Sequence, residues 1–297
     1  MRRNIVKGLL VFLLFSVALA LMIYPFAANL LFENRADSIV AVIEQSLRDT
    51  DKEKWSTAIE QAEEYNAMIA GGHIRLTDPF AEDKTGEAAE DYDSLVCMTE
   101  DGVMGVLEIP SIDLSLPVYH GTSEKVLEMG AGHLKGTSLP VGGKSTHAVL
   151  TGHSGLSHAK LFTDLAQLTQ GDLFYINVLG RSLVYEVDQI KTVFPTELGD
   201  LKVESGRDYC TLVTCTPYGV NTHRLLVRGR RTCSRYAEKQ GGTIGEEPDK
   251  KTESKWMEEY KKALGISFGC FAGLLLLVTV KRHDGQIRRE KMQEKRF

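Results

Sequence analysis

No charged residue occurs from Gly8 through Phe32, and none from Ala263 through Val280, so the chain is bounded by two apolar runs. A membrane-spanning helix needs about 20 mostly apolar residues, and both runs are long enough. Arg2, Arg3 and Lys7 precede the first run, and Lys281, Arg282, Arg288, Arg289, Lys291, Lys295 and Arg296 follow the second. Basic flanks favour the cytoplasmic side, which predicts a multi-pass membrane protein with both termini inside and residues 33–262 outside. A cleaved signal peptide is the alternative for the first run. Its apolar core is longer than such peptides carry, and the small-residue sites near Ala20 and Ala28 are imperfect. A buried core helix is the alternative for the second, and the basic residues packed behind it argue against that.

The two basic ends also reinterpret the net charge of −5: the first seven residues carry +3 and the segment after Val280 carries +4, which leaves −12 between them. An acidic exposed domain argues against nucleic acid or an anionic surface as the main partner.

Between the apolar runs the patterning divides the chain. The expected boundaries are a cytoplasmic tail 1–7, an anchor 8–32, a helical segment 33–70, a polar loop 71–101, a β-domain 102–235, a linker 236–262, a second membrane helix 263–280 and a basic tail 281–297. In the helical segment Ile39, Ile43 and Leu47 recur every four residues. Trp55, Ile59, Ala62 and Ile69 continue near the 3.6 period, with Asp51 as a cap and Gly71-Gly72 as a stop. The large Trp55 on this stripe predicts packing against the domain that follows.

Residues 71–101 have little apolar periodicity and contain Asp78-Pro79-Phe80, which by itself is an ordinary Asp-Pro turn. From Gly102 to Arg231 short β-rich runs alternate with Gly- or Asp-containing turns: VLEIPSIDLSLPVY, HAVLT, LFYINV, LVYEVDQIKTVF, CTLVTC and HRLLVRG. Only one short helix is expected among them, near SHAKLFTDLAQL. This predicts a mostly β fold, a closed and largely antiparallel barrel.

The chemistry-bearing residues sit on strand ends. TLVTC delivers Cys215, a Pro-Tyr-Gly turn follows, and the next strand opens with His223 and Arg224, so a hairpin sets a thiol beside a permanently charged guanidinium. AVLTGHSGL delivers His153 in the same manner 62 residues earlier. Cys, His and Arg so placed are the parts needed for thiol acyl transfer, whereas Cys215 alone would read as a small buried hydrophobe. Thr214 either orients substrate or fills a strand position. His120, His133, His147, His158 and His223 read as structural or surface residues. Their spacings match no metal motif, so no metal or other cofactor is expected. The five cysteines, at 97, 210, 215, 233 and 270, form no CxxC pair, and nothing supports a Cys97–Cys233 bridge.

TLVTCTPYGVNTHRLLVRG resembles the active-site segment of the sortases, cysteine transpeptidases of the Gram-positive cell surface. The likeness extends to GVLEIPSIDLSLPVYHG (105–121), GHLKGTSLPVGG (132–143) and THAVLTGHSGLSHAKLFTDL (146–165). With TDPF at 77–80 and two hydrophobic ends, the chain resembles the class C, or pilin-polymerising, sortases in particular. Ser154 departs from the family, which often carries a basic residue after the His.

The resemblance implies a sortase-type barrel of about eight strands, with Cys215 as nucleophile, His153 as general acid/base and Arg224 as stabiliser of the oxyanion or the substrate backbone. It also implies a lid of Asp78, Pro79 and Phe80, with Asp78 reaching Arg224 and Phe80 over Cys215. The implied partners are a Leu-Pro-x-Thr-Gly (LPXTG-type) sorting signal on a pilin or surface protein and an acceptor lysine amine. Anchoring to a cell-wall precursor and a non-catalytic, membrane-tethered binding module are the competing functions.

Overall fold

The computed structural model of the chain describes residues 2–49, 52–72, 76–81, 92–99, 101–156 and 159–232, with a few helical positions between 261 and 273. Two compact units are separated, Met1–Thr252 and Glu253–Phe297, and the description below concerns the first.

Eight strands close into a barrel in the order β1-β2-β3-β4-β7-β8-β6-β5. They are β1 (Val103–Ile109), β2 (Leu114–His120), β3 (Ala131–His133), β4 (Thr146–Thr151), β5 (Leu173–Val178), β6 (Arg181–Val193), β7 (Asp208–Thr216) and β8 (His223–Arg231). Most neighbours are antiparallel, as the alternating runs predict, but β2–β3 and β4–β7 are parallel. Closure through β1–β5 leaves no open sheet edge.

The run VLEIPSIDLSLPVY becomes two strands because Pro110 opens a 3₁₀ turn, Pro110–Ile112, and Asp113 then adopts left-handed backbone (φ 49°). The short helix expected near SHAKLFTDLAQL is a 3₁₀ segment, Leu161–Gln167. Strand β3, the three residues AGH, has no pattern of its own and was not foreseen. Gly130 and Gly132 let it approach its neighbours, because a Cβ there would meet the Pro117 and Gly121 carbonyl oxygens at 2.4 and 2.3 Å.

Two helices precede the barrel, α1 (Arg2–Asp49) and α2 (Lys52–Gly71). The anchor and the first part of the helical segment, expected as separate pieces meeting at residue 32, form one continuous helix. Ile43 packs with Val103, Val106 and Tyr119 on the barrel's flank, and Leu47 lies outside the residues whose side chains are described. On α2, Ile59, Ala62 and Ile69 join the main core and Trp55 packs half-buried against it. Asn66 clamps the barrel by exchanging two hydrogen bonds with the Leu139 backbone, 2.6 and 3.1 Å.

Among the described residues one helix is long and apolar enough to cross a membrane, Leu13–Ile43, where two were expected. The second run, 263–280, falls mostly outside the described residues, as do Asp51, His158, the linker and Cys233.

Candidate active site

Cys215 and Arg224 face one another directly in the β7–β8 ladder. Opposed residues of an antiparallel pair point to the same face with Cβ atoms about 5 Å apart. That face is the barrel's exterior. Cys210, Leu212, Leu225 and Val227 fill the main core, while Val213 and Leu226, in phase with Cys215 and Arg224, belong to a smaller external cluster with Leu134, Val149 and Leu201.

On the other side of β7 runs β4, parallel and in register through Thr151 opposite Val213. His153 follows two residues later, level with Cys215. The backbone continues this register one residue beyond the strand, where Gly152 N–H donates to the Val213 carbonyl at 3.1 Å, and the His153 carbonyl accepts the Phe162 N–H at 2.9 Å. Gly152 is required here because a Cβ would lie 2.8 Å from the Phe162 ring. Three residues between 9 and 71 positions apart in sequence are thus brought together by strand register.

Thr214 takes the strand-position reading. Its side chain points away from the Cys215 face, is 2% exposed, and donates to the Gly152 carbonyl at 2.7 Å. It ties the His153 turn to β7.

Asp78, Pro79 and Phe80 lie over this external cluster. The chain turns at Asp78–Ala81, closed by an Ala81 N–H bond to the Asp78 carbonyl at 3.0 Å, with Pro79 in the position its fixed φ suits. The Asp78 carboxylate takes Arg224 Nε and Nη2 at 2.9 and 2.7 Å, and Arg224 Nη1 donates to the Asn221 and His223 carbonyls, both at 3.0 Å. Phe80, expected over Cys215, lies against the other two members of the set. Its ring centre is 5.7 Å from that of His153 and 5.0 Å from Arg224 Cζ.

Cys215 as a residue is 9% exposed. Burial pushes its pKa up, the Arg224 charge pulls it down, and Asp78 pushes it up again. With the Asp-Pro-Phe turn in place, therefore, burial and Asp78 both disfavour the Cys215 thiolate, and the Arg224 guanidinium is engaged by Asp78.

Two contributors escaped the sequence reading. Glu124 opens α3 (Glu124–Met129), capped by Ser123, and its Oε1 stands 3.3 Å from His153 Nε2. Tyr92 anchors the returning end of the polar loop. It is fully buried, with its hydroxyl 2.7 Å from His133 Nδ1 and 3.2 Å from the Gly121 N–H that donates to it. An aromatic side chain amid Glu and Asp residues was the available signal. His133 and His147 are buried structural histidines, as expected. The first sits between Tyr92 and the Ser138 carbonyl, the second between Thr211 Oγ1 and the Lys202 carbonyl.

A model of the Sortase domain matches residues 107–232. Sortase A of Bacillus anthracis is 34% identical over 127 residues, covering 43% of this chain and 59% of that protein. The chain thus spans somewhat over half the length of the curated relatives it matches. Solved structures match over a larger share of the chain. Sortase C1 of GBS Pilus Island 1 is 42% identical with a TM-score of 0.62, covering 71% of this chain and 96% of that one. Streptococcus pneumoniae Sortase C is 40% identical with a TM-score of 0.60, covering 66% and 97%. Sortase C-1 from Actinomyces oris is 47% identical with a TM-score of 0.56, covering 61% and 99%. Barrel, strand-end residues and relatives agree, and the chain belongs to the sortase family.

Proposed function

We propose that the chain is a membrane-anchored cysteine transpeptidase of the class C kind, which cleaves an LPXTG-type sorting signal between Thr and Gly and joins the new acyl end to a pilin lysine. The observation that carries this reading is the direct Cys215–Arg224 strand pairing with His153 level beside it. Cys215 as thiolate attacks the Thr carbonyl, and Arg224 donates to the oxyanion that forms. The C–N bond breaks as protonated His153 gives its proton to the departing Gly amine, leaving a thioester on Cys215. The lysine amine then attacks the thioester and loses a proton to His153, and the thiolate departs as the isopeptide bond closes. Asp78 must release Arg224 before the first step, so the closed turn withholds the oxyanion donors until it opens.

The likeness to solved class C structures favours pilin joining over the wall-anchoring alternative: Sortase C1 of GBS Pilus Island 1 is 42% identical and covers 71% of this chain, against 34% and 43% for Sortase A of Bacillus anthracis. A non-catalytic binding module would need neither a thiol nor a guanidinium at paired positions. The test is to offer the full chain, in lipid nanodiscs, a fluorescent Leu-Pro-x-Thr-Gly peptide with a lysine-containing pilin domain as acceptor. The expected product is an isopeptide-linked conjugate absent with Cys215→Ala. Hydrolysis alone, or transfer only to a cell-wall precursor amine, would contradict pilin joining.

A further inference from the structure

Helix α1 runs unbroken from the apolar run into contact with the barrel, which fixes how the barrel stands. No described residue from Leu10 to Ala28 is buried, and the first that is buried is Asn29. From there a stripe follows at helical spacing, with Ala36 and Ile43 buried and Phe32, Ile39 and Val40 packed half-buried on the core. The free uncharged stretch, Gly8 to Ala28, is roughly 21 residues, or about 31 Å at 1.5 Å per residue. A bilayer's hydrocarbon is about 30 Å thick. The barrel therefore grips the helix where the hydrocarbon ends, with no linker between.

The direction of the strands decides which end of the barrel is lowest. Asn29 Oδ1 accepts the Lys160 backbone N–H at 2.8 Å, and Lys160 Nζ donates to the Ile112 carbonyl at 2.7 Å, just ahead of β2. Farther along α1, Ile43 meets Val103 and Tyr119, at the start of β1 and the end of β2. Helix α1 and strand β2 thus run the same way. β3 is parallel to β2, β4 antiparallel to β3, and β7 parallel to β4, so β4 and β7 run back toward Asn29. Their C-terminal ends carry His153 and Cys215.

We infer that the barrel is seated on the outer lipid headgroup layer with its catalytic end toward the bilayer and its Asp208 end pointing away. This rests on the membrane-anchored reading above. The two ends are well separated: seven residues of β7 at about 3.3 Å each, tilted as barrel strands are, give roughly 20 Å of height.

The test uses the full chain in nanodiscs, with a fluorescent amino acid in place of Ala166 (exposed, in the crossover at the catalytic end) or of Ser205 (exposed, just ahead of β7). Headgroup-nitroxide lipids should quench the Ala166 probe several-fold more than the Ser205 probe. A third probe at Leu14 should be quenched by acyl-chain nitroxides. Equal or reversed quenching at the first two sites, with Leu14 quenched, overturns the orientation alone. An unquenched Leu14 overturns the anchor and the orientation together. Thioester formation by the same samples reports the catalytic reading separately.

Discussion

Asp78 and Arg224, 146 positions apart, meet through two hydrogen bonds of 2.9 and 2.7 Å. Their side chains are 14% and 10% exposed, so this is a bidentate ion pair largely shielded from water. It occupies the donors that the proposed chemistry assigns to the oxyanion, and it holds Phe80 against His153. On the proposed chemistry this charge pair must break before turnover.

Removing the pair opens the site. In Asp78→Ala the Cys215 thiol should react with a small alkylating reagent faster by on the order of 10-fold, because apparent reactivity scales with the open fraction. Mass spectrometry of the Cys215 peptide reads the rate. An unchanged rate would remove the blocking role from Asp78.

The charges around the thiol act with opposite signs. Asp78→Asn removes a carboxylate that disfavours thiolate and should move the pH midpoint of Cys215 alkylation down. Arg224→Gln removes the cation that favours thiolate and should move it up. Alkylation followed from pH 6 to 10 checks both, and shifts of the same sign would contradict the arrangement.

Thr214→Val keeps shape and deletes one hydrogen bond to the Gly152 carbonyl. The expected cost in stability is about 1–2 kcal/mol. Because the His153 turn hangs on that bond, kcat should fall by roughly 10-fold with KM little changed. A variant with full kcat but raised KM would return Thr214 to the substrate side.

Burial lowers the His133 pKa from 6.5 to about 4, against the opposing pull of the Ser138 carbonyl. The unfolded chain takes up this proton as pH falls through 6.5, whereas the folded one waits until about 4. The contribution to stability is therefore complete above 6.5 and lost on acidification between those values, by up to about 3 kcal/mol at 1.36 kcal/mol per unit. His147 is lowered by burial too and adds in the same direction. Melting temperature measured from pH 7.5 to 4.5 should fall, and His133→Asn, though less stable, should fall less steeply. An identical slope in the variant would exclude His133 as the source.

Much of the site could be read from local pattern because β7 and β8 are joined by a short turn: the hairpin that pairs Cys215 with Arg224 lies within one stretch of sequence. His153 was legible as a strand-end residue, yet its place beside Cys215 depends on the parallel β4–β7 register, which local periodicity does not encode. The boundary expected at residue 32 dissolved for a related reason. The loss of apolar character there falls where the helix begins to pack on the barrel, while the helix itself continues to Asp49. Asp78 meeting Arg224 came from family likeness, since an Asp-Pro turn alone says nothing of a distant partner. Glu124 and Tyr92 were missed because their roles arise only when α3 and the polar loop fold back on the barrel.

The central claim is acyl transfer through Cys215, and the most direct measurement is intact mass of the full chain, with Asp78 and Phe80 replaced by Ala, after mixing with a Leu-Pro-x-Thr-Gly peptide. The account predicts an adduct equal to the acyl fragment ending at Thr, removed by hydroxylamine and absent when Cys215 is also replaced by Ala. No adduct while Cys215 remains alkylatable would contradict it.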